Sequence, residues 1–479
     1  MECGLSAGFA RLEITPEGAG FPLGGYGATQ NRLHEEVIDP LWLNVLALGR
    51  GKYPECLFFV LDLVNIPDLT ETFRKGVSEE TGVPEEHLFF SATHTHSAPD
   101  LTSPMPCIQA YKREVLEKKV REAARLAVED LSPASVSYGR TEIGHPGIRL
   151  NFVRHYLMTE AEEGCKERHH YPVGDNYGTE YAFRQGQYVY ERHDGIPDHM
   201  LEIIRISRPE GREDLLLLNF QAHATLTGGC DILRMSSDYP GVLRERVEAM
   251  LPGTRAVFFQ GAAGNMNPKT RIEAEGLPGL TYAKNGEFDH RAYAGILASC
   301  VREAVRKGLQ ESLTDDLAIV RRTVSGALDH SSDHLAEAAR KVADLYEKEG
   351  RSERVHALTE AYGFTSPYQC SAILEKARKG KTGHYELNAV RLGDAAFVTA
   401  PFELFAETGL SIKAASPFRV TFISGYTGDM QQYLPSEGAS SLCYERALSR
   451  YEPGTAETLR DIAIEMLKEL ENESRRKPL

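Results

Sequence analysis

Two histidines one residue apart carry the first chemical signal of this chain. They lie in Ser91-Ala92-Thr93-His94-Thr95-His96-Ser97-Ala98-Pro99, which continues the apolar run His87–Ala92. On an extended chain, residues i and i+2 point the same way. His94 and His96 could therefore face one cleft at a strand's carboxyl end, where α/β proteins place ligands. Neutral imidazole suits a borderline-soft cation such as zinc. Two ligands do not make a site, and on spacing alone the pair could equally be surface histidines.

Three further segments end an apolar run in a reactive side chain. Leu218-Asn219-Phe220-Gln221-Ala222-His223 closes on a histidine, which taken alone reads more readily as a satisfied core or rim residue. Catalytic zinc takes three protein ligands and keeps an open position, so a third donor near His94 and His96 matters. Ala400-Pro401-Phe402-Glu403 places a lone carboxylate after AAFVTAP. Burying an unpaired carboxylate is costly, and either a metal or a salt bridge relieves that cost. Residues 257–268, VFFQGAAGNMNP, run from a strand into a glycine-rich turn. The Lys-Ser/Thr ending of a P-loop is absent, which argues against a nucleotide site. The GAAGN backbone could instead help hold an oxyanion, or be a plain strand exit.

Elements that could position these groups alternate along the chain. Leu41–Leu48 and Cys56–Val64 read as buried strands, Thr70–Thr81 as a helix and His87–Ala92 as a strand. A long amphipathic helix is expected over 110–131, then strands over Ser135–Ile143, Met200–Ser207 and Leu215–His223. Asp238 is a candidate N-cap for a helix over Tyr239–Leu251, and Arg255–Gln260 is a strand. Helices are expected at 290–309, 333–380 (broken near Gly350 and Pro367) and 456–475, and strands at 386–399 and 418–424. The stretch 159–199 reads as a long polar loop, with His169, His170, Tyr171, Arg184, Tyr188, Tyr190 and His193 available to line or lid a pocket. No internal repeat and no Pro/Ser-rich linker is detectable, so one large α/β domain spanning 1–479 is expected.

Composition narrows the partners. The 479 residues carry 54 Lys and Arg against 69 Asp and Glu, a net charge of −15. With no long basic run, nucleic-acid binding is a poor expectation. No apolar stretch is long enough to span a bilayer and the N-terminus lacks a signal-peptide pattern, so a cytoplasmic protein without stable membrane association is expected. The eight cysteines are scattered singly with no CxxC pair, which fits reduced thiols rather than a cysteine zinc knot. The expected partner is a small-molecule substrate. Oligomeric state is not legible.

Taken together, these pieces resemble the neutral/alkaline ceramidase family of zinc amidohydrolases, from Ala7 to about Thr458. The opening AGFARLEITP…GGYG is similar to that family's first strand and Gly-Tyr turn, and THTHS to its most specific motif. A strand ending in His, a Gln-Gly-x-x-Gly loop before Pro, a Pro-x-Glu and a Ser-Gly followed by tyrosine then come in the family's order. The resemblance implies an α/β fold, a layered sandwich of mixed sheets flanked by helices. It implies Zn2+ held by His94, His223, Glu403 and Tyr433, with Tyr426 and Tyr444 as nearby alternatives to Tyr433. It further implies His96 beside the scissile bond, and a substrate-binding arginine at Arg154, with Arg149 competing.

Three departures shape the expected function. Asn267 stands in Gly264-Asn265-Met266-Asn267-Pro268 where the family carries a serine, and asparagine is not a useful acyl acceptor. No counterpart of the family's C-terminal immunoglobulin-like domain or of its secretion signal is expected, which turns the expectation from ceramide to a soluble polar substrate. The expected reaction is attack of zinc-activated water on a linear amide (N-acyl) bond. His96 would serve proton transfer, and Arg154, Asn267 and the GAAGN backbone would stabilise the oxyanion. The same ligands would serve an ester, N-acetyl-sugar or cyclic-amide hydrolase, and a non-catalytic member of the family is the remaining alternative.

Overall fold

In the computed structural model, the backbone is described for residues 4–26, 32–145, 148–149, 151–153, 155–160, 169–173, 177–184, 187–192, 197–228, 233–268, 290–350, 352–364, 367–439 and 444–476. One supersecondary pattern occurs three times along it. β1 (Leu5–Glu13), β2 (Trp42–Arg50) and β3 (Tyr53–Leu61) pair antiparallel. Helix α1 (Thr70–Thr81) then crosses to β4 (Leu88–Ala92), parallel to β3, and α2 (Glu117–Glu129) follows. The second unit repeats this with β5 (Ser135–Glu142), β6 (Met200–Ser207), β7 (Asp214–Phe220), α3 (Asp238–Met250), β8 (Thr254–Gln260) and α4 (His290–Lys307). The third comprises β9 (Leu317–Ala327), β10 (Thr382–Leu392), β11 (Ala395–Thr399), α5 (Ala406–Ala415), β12 (Val420–Ser424) and α6 (Thr455–Arg476). In each unit the last two strands are the parallel pair, as a crossover helix requires. The sequence shows no repeat because the shared feature is topology and not residue identity.

Each sheet buries both faces. The inner faces meet in one core built from Leu46, Phe58 and Phe89 of the first sheet, Ile204, Leu217 and Phe259 of the second, and Val390, Phe397 and Phe422 of the third. Each outer face is covered by its own two helices: Phe73 and Ala124 on the first, Val247 and Leu297 on the second, Ile412 and Leu467 on the third. Burial on both faces explains why the strands read as continuous apolar runs.

A cation from each crossover helix reaches into a neighbouring unit. Arg244 of α3 pairs with Asp62 just past β3 at 2.6 Å. Lys413 of α5 pairs with Asp198 and Glu202 of the second unit at 2.9 and 3.1 Å. Arg74 of α1 pairs with Glu386 of β10 at 2.8 Å. The three contacts close a ring, second unit to first, third to second and first to third.

Several sequence expectations are corrected. Where a loop is expected over 159–199, the described residues His155–Glu160, His169–Val173, Tyr177–Arg184 and Gln187–Arg192 form a four-stranded antiparallel sheet. Its tyrosines and threonines favour strands, but its charged positions mask the alternation. Residues 386–399 are two strands, folded back at Gly393, whose φ of 63° suits a tight turn. The helix over 110–131 begins earlier, at Pro106, and passes through one π-helical turn at Lys112–Leu116. Asp238 is not the N-cap; Ser237 is, and the Asp238 carboxylate instead accepts from Thr227 N and Oγ1, both at 2.7 Å. The breaks near Gly350 and Pro367 are present, giving Ala336–Glu349, Glu353–Ala361 and Pro367–Arg378. Four cysteines, Cys56, Cys107, Cys300 and Cys370, are described, and none of them is in a disulfide.

Candidate metal centre

The carboxyl ends of the three parallel strand pairs point at one place. His94 follows β4, His223 follows β7 and Glu403 follows β11. Each unit thus contributes one reactive side chain, and His96 comes with the first. All four are more than nine-tenths buried. The donor nitrogens of His94, His96 and His223 lie within 4.8 Å of one another. Glu403 Oε2 lies 3.2 Å from His223 Nε2 and 3.4 Å from His94 Nε2. His96 Nε2 lies 3.0 Å from His94 Nε2.

The local chain is not the extended one that the HxH spacing suggests. β4 ends at Ala92, and His94 has φ of 62°, left-handed for a non-glycine residue. Tyr426, two residues past β12, has φ of 57°, and its ring stacks on that of His94 at 4.1 Å. Such conformations cost energy and persist where surroundings over-determine them. β7 likewise ends at Phe220, three residues before His223.

Hydrogen bonds fix the tautomers. His94 Nδ1 lies 2.7 Å from Val64 O, and His223 Nδ1 lies 3.3 Å from Met266 O. A carbonyl only accepts, so both Nδ1 atoms carry the proton and both Nε2 lone pairs face inward. These lone pairs confront the Glu403 carboxylate, acceptor against acceptor. Burial opposes the charge on Glu403, but the charged forms of His94 and His223 together outweigh it and hold the carboxyl well below its usual range; with both Nε2 lone pairs bare, a cation would have to supply that charge. His96 is pushed well below its usual value, by burial first and then by His94 and His223, so it is neutral at neutral pH. Converging imidazole lone pairs opposite a carboxylate are the donor set that a divalent cation satisfies. The residues fit zinc.

The remaining expected residues divide. Tyr433 pairs with Glu403 in a short parallel ladder, which puts its side chain on the same face as the carboxylate, packed with Phe405 and Leu448. Tyr426 reaches His94 with its ring. Tyr444 begins a short helix, Tyr444–Leu448. Asn267 sits on the strand Met266–Pro268, opposite Phe152, and is the neighbour of the carbonyl that holds His223. Arg154 lies outside the described residues, and Arg149 is placed only as backbone of Ile148–Arg149.

Two of the five GAAGN amides, those of Gly261 and Gly264, are engaged within the fold. Gly261 N donates to Phe220 O, Gly264 N to Leu404 O and Met266 N to Ala263 O, and the chain continues into a strand and not a helix. The loop also braces Glu403. A Cβ at Gly264 would lie 2.4 Å from Glu403 O, so only glycine fits there. Asn265 Oδ1 accepts from Ala406 N at 2.8 Å, capping α5 from another unit.

Three neighbours escaped the sequence reading. Tyr26 meets His96 edge-on at 5.0 Å, and the Arg32 guanidinium lies 5.0 Å from the Tyr26 ring centre. Asp62 accepts from Thr93 Oγ1 at 3.2 Å, one residue before His94. A buried Asp directly after the apolar run Cys56–Leu61 was the available signal for Asp62.

No protein-family model matches the chain, and no curated protein does. Solved structures match it. The neutral ceramidase from Pseudomonas aeruginosa superposes with a TM-score of 0.67 at 16% identity, over 98% of this chain and 75% of that one. A ceramidase complexed with C2 superposes with a TM-score of 0.65, also at 16% identity, over 98% of this chain and 76% of that one. The likeness establishes the fold: mixed sheets flanked by helices, arranged as in neutral ceramidase.

Proposed function

We propose that this protein is a zinc-dependent hydrolase that cleaves a linear amide bond of a small, polar N-acyl substrate. The observation that carries the reading is the convergence of His94, His223 and Glu403, one from each unit, with both Nε2 lone pairs turned inward. Their place in a ceramidase-type fold supports an amide as the scissile bond. We assign His94, His223, Glu403 and Tyr433 to the metal. Zinc, when bound, lowers the pKa of water from about 15.7 towards 7 and polarises a carbonyl.

The chain's own residues do the rest. Val64 O and Met266 O hold the two imidazoles in the tautomer that leaves Nε2 free. Glu403, held ionised, offsets the cation's charge. His96 is neutral and adjacent, so it can take up a proton at one ring nitrogen and pass it to a leaving amine. Burial excludes bulk water and strengthens each electrostatic contact. Asn267, and Arg154 in the same role, would donate to the developing oxyanion. No side-chain nucleophile is required, so asparagine in place of serine is compatible with turnover.

The test combines metal analysis with a substrate screen. Wild-type protein should retain one zinc per chain, and His94→Ala and His223→Ala should lose both zinc and activity. Zinc retained at full occupancy in either variant would overturn the ligand set. Turnover confined to O-acyl, N-acetyl-sugar or lactam panels would replace the amide assignment, and no turnover with no zinc would leave a binding protein.

A further inference from the structure

The geometry points to the buried Asp62–Arg244 ion pair as the device that positions His94, a role that rests on the metal-centre reading above. Asp62 is the first residue past β3 and is fully buried; Arg244, on α3, is 1% exposed. Asp62 Oδ1 accepts from Arg244 Nη1 at 2.9 Å and from Thr93 Oγ1 at 3.2 Å. Oδ2 accepts from Arg244 Nη2 at 2.6 Å and from Trp42 N at 2.9 Å. The carboxylate is therefore saturated, and it binds three separate pieces of chain.

One of those pieces, Thr93, adjoins His94, and the segment that carries Asp62 holds both residues. Thr93 N donates to Leu61 O, His94 N to Leu63 O and His94 Nδ1 to Val64 O. Residues 61–64 thus grip His94 at both backbone and ring, and Asp62 ties that segment, and Thr93, to α3. His94 needs such a grip because its left-handed φ is one a free chain rarely holds. A buried ion pair is weak support for stability by itself, since apolar replacements of similar volume are often as stable. Its position explains it better. Arg244 belongs to the second unit, which also supplies His223, so the pair fixes one histidine-bearing unit against the other. Partners that orient a metal-binding histidine tune affinity by about 10–100-fold.

Asp62→Asn alone strands a buried guanidinium and could unfold the chain. The full-length protein is therefore tested as the double variant Asp62→Asn/Arg244→Met, and as Thr93→Val beside Thr93→Ser. Zinc affinity is read by chelator competition, ligand geometry by the visible bands of the Co2+-substituted protein, and folding by circular dichroism. Thr93→Val should bind zinc about tenfold more weakly with shifted Co2+ bands, Thr93→Ser should match wild type, and the folded double variant should lose more. Wild-type affinity and bands in Thr93→Val would overturn the positioning role while the zinc reading stands. A wild-type chain that binds no zinc would overturn the zinc reading, and this role with it.

Discussion

His96 and the tyrosines show how roles divide among residues a few ångströms apart. His96 lies as close to His94 as a ligand would, yet its other nitrogen, Nδ1, has no hydrogen-bond partner among the described residues. His94 and His223 both have their Nδ1 atoms anchored by carbonyls. An unanchored ring is the one better suited to move a proton. His96→Ala should therefore keep its zinc while kcat falls by about 10²–10⁴-fold; loss of zinc on elemental analysis would make His96 a ligand. Tyr433 shares a face with Glu403, whereas Tyr426 meets His94 through its ring. Tyr433→Phe should weaken zinc binding and Tyr426→Phe should not, measured by competition titration. The reverse ranking would move the tyrosine ligand to Tyr426. At this scale the sequence pointed to His94, His223 and Glu403, because each closes an apolar run, and to His96 by its spacing from His94. It offered Asp62 only as an acid closing an apolar run and could not pair it with Arg244, 182 residues away in the chain, since nothing in either segment names the other.

Strands and helices were legible wherever burial alone set the pattern. Thr70–Thr81 and Met200–Ser207 have the expected bounds, because one helix face and two strand faces are filled with apolar side chains. Legibility failed where another element decides. The capping of α5 by Asn265 comes from a loop 141 residues away, and the left-handed turns at His94 and Tyr426 are imposed by their packing. The contact of α5 with β6 is a third case. Burial raises the Glu202 carboxyl to about 7, although Lys413 pulls it the other way. An unfolded glutamate releases its proton at about pH 4.3. Between those values the native state binds more protons than the unfolded one, so stability falls as pH rises through the window. Glu202→Gln does not titrate and should flatten that part of the curve, by at most about 1.4 kcal/mol per pH unit. Denaturation midpoints from pH 5 to pH 8 measure it, and an unchanged slope would remove Glu202 as the cause.

Across the whole molecule, three units that look unrelated in sequence meet at one core and one site. Among the described residues no helix is long and apolar enough to cross a membrane; the apolar surface is instead turned inward between the sheets. Phe397 of β11 touches Phe58 of the first sheet at 4.9 Å, Phe259 of the second at 5.6 Å and Phe422 of its own at 5.0 Å. A residue that joins all three sheets couples their unfolding, and the ring of cations from α1, α3 and α5 adds to that coupling. Phe397→Ala should cost about 3–5 kcal/mol, as deletion of a large buried side chain does. The loss should appear as one shifted transition, because no unit keeps a filled inner face once another leaves. Urea unfolding followed in parallel by tyrosine fluorescence and far-ultraviolet circular dichroism decides this. Coincident curves shifted together fit a shared core, whereas a variant in which one unit melts separately would mean that the three sheets are held chiefly by their own helices.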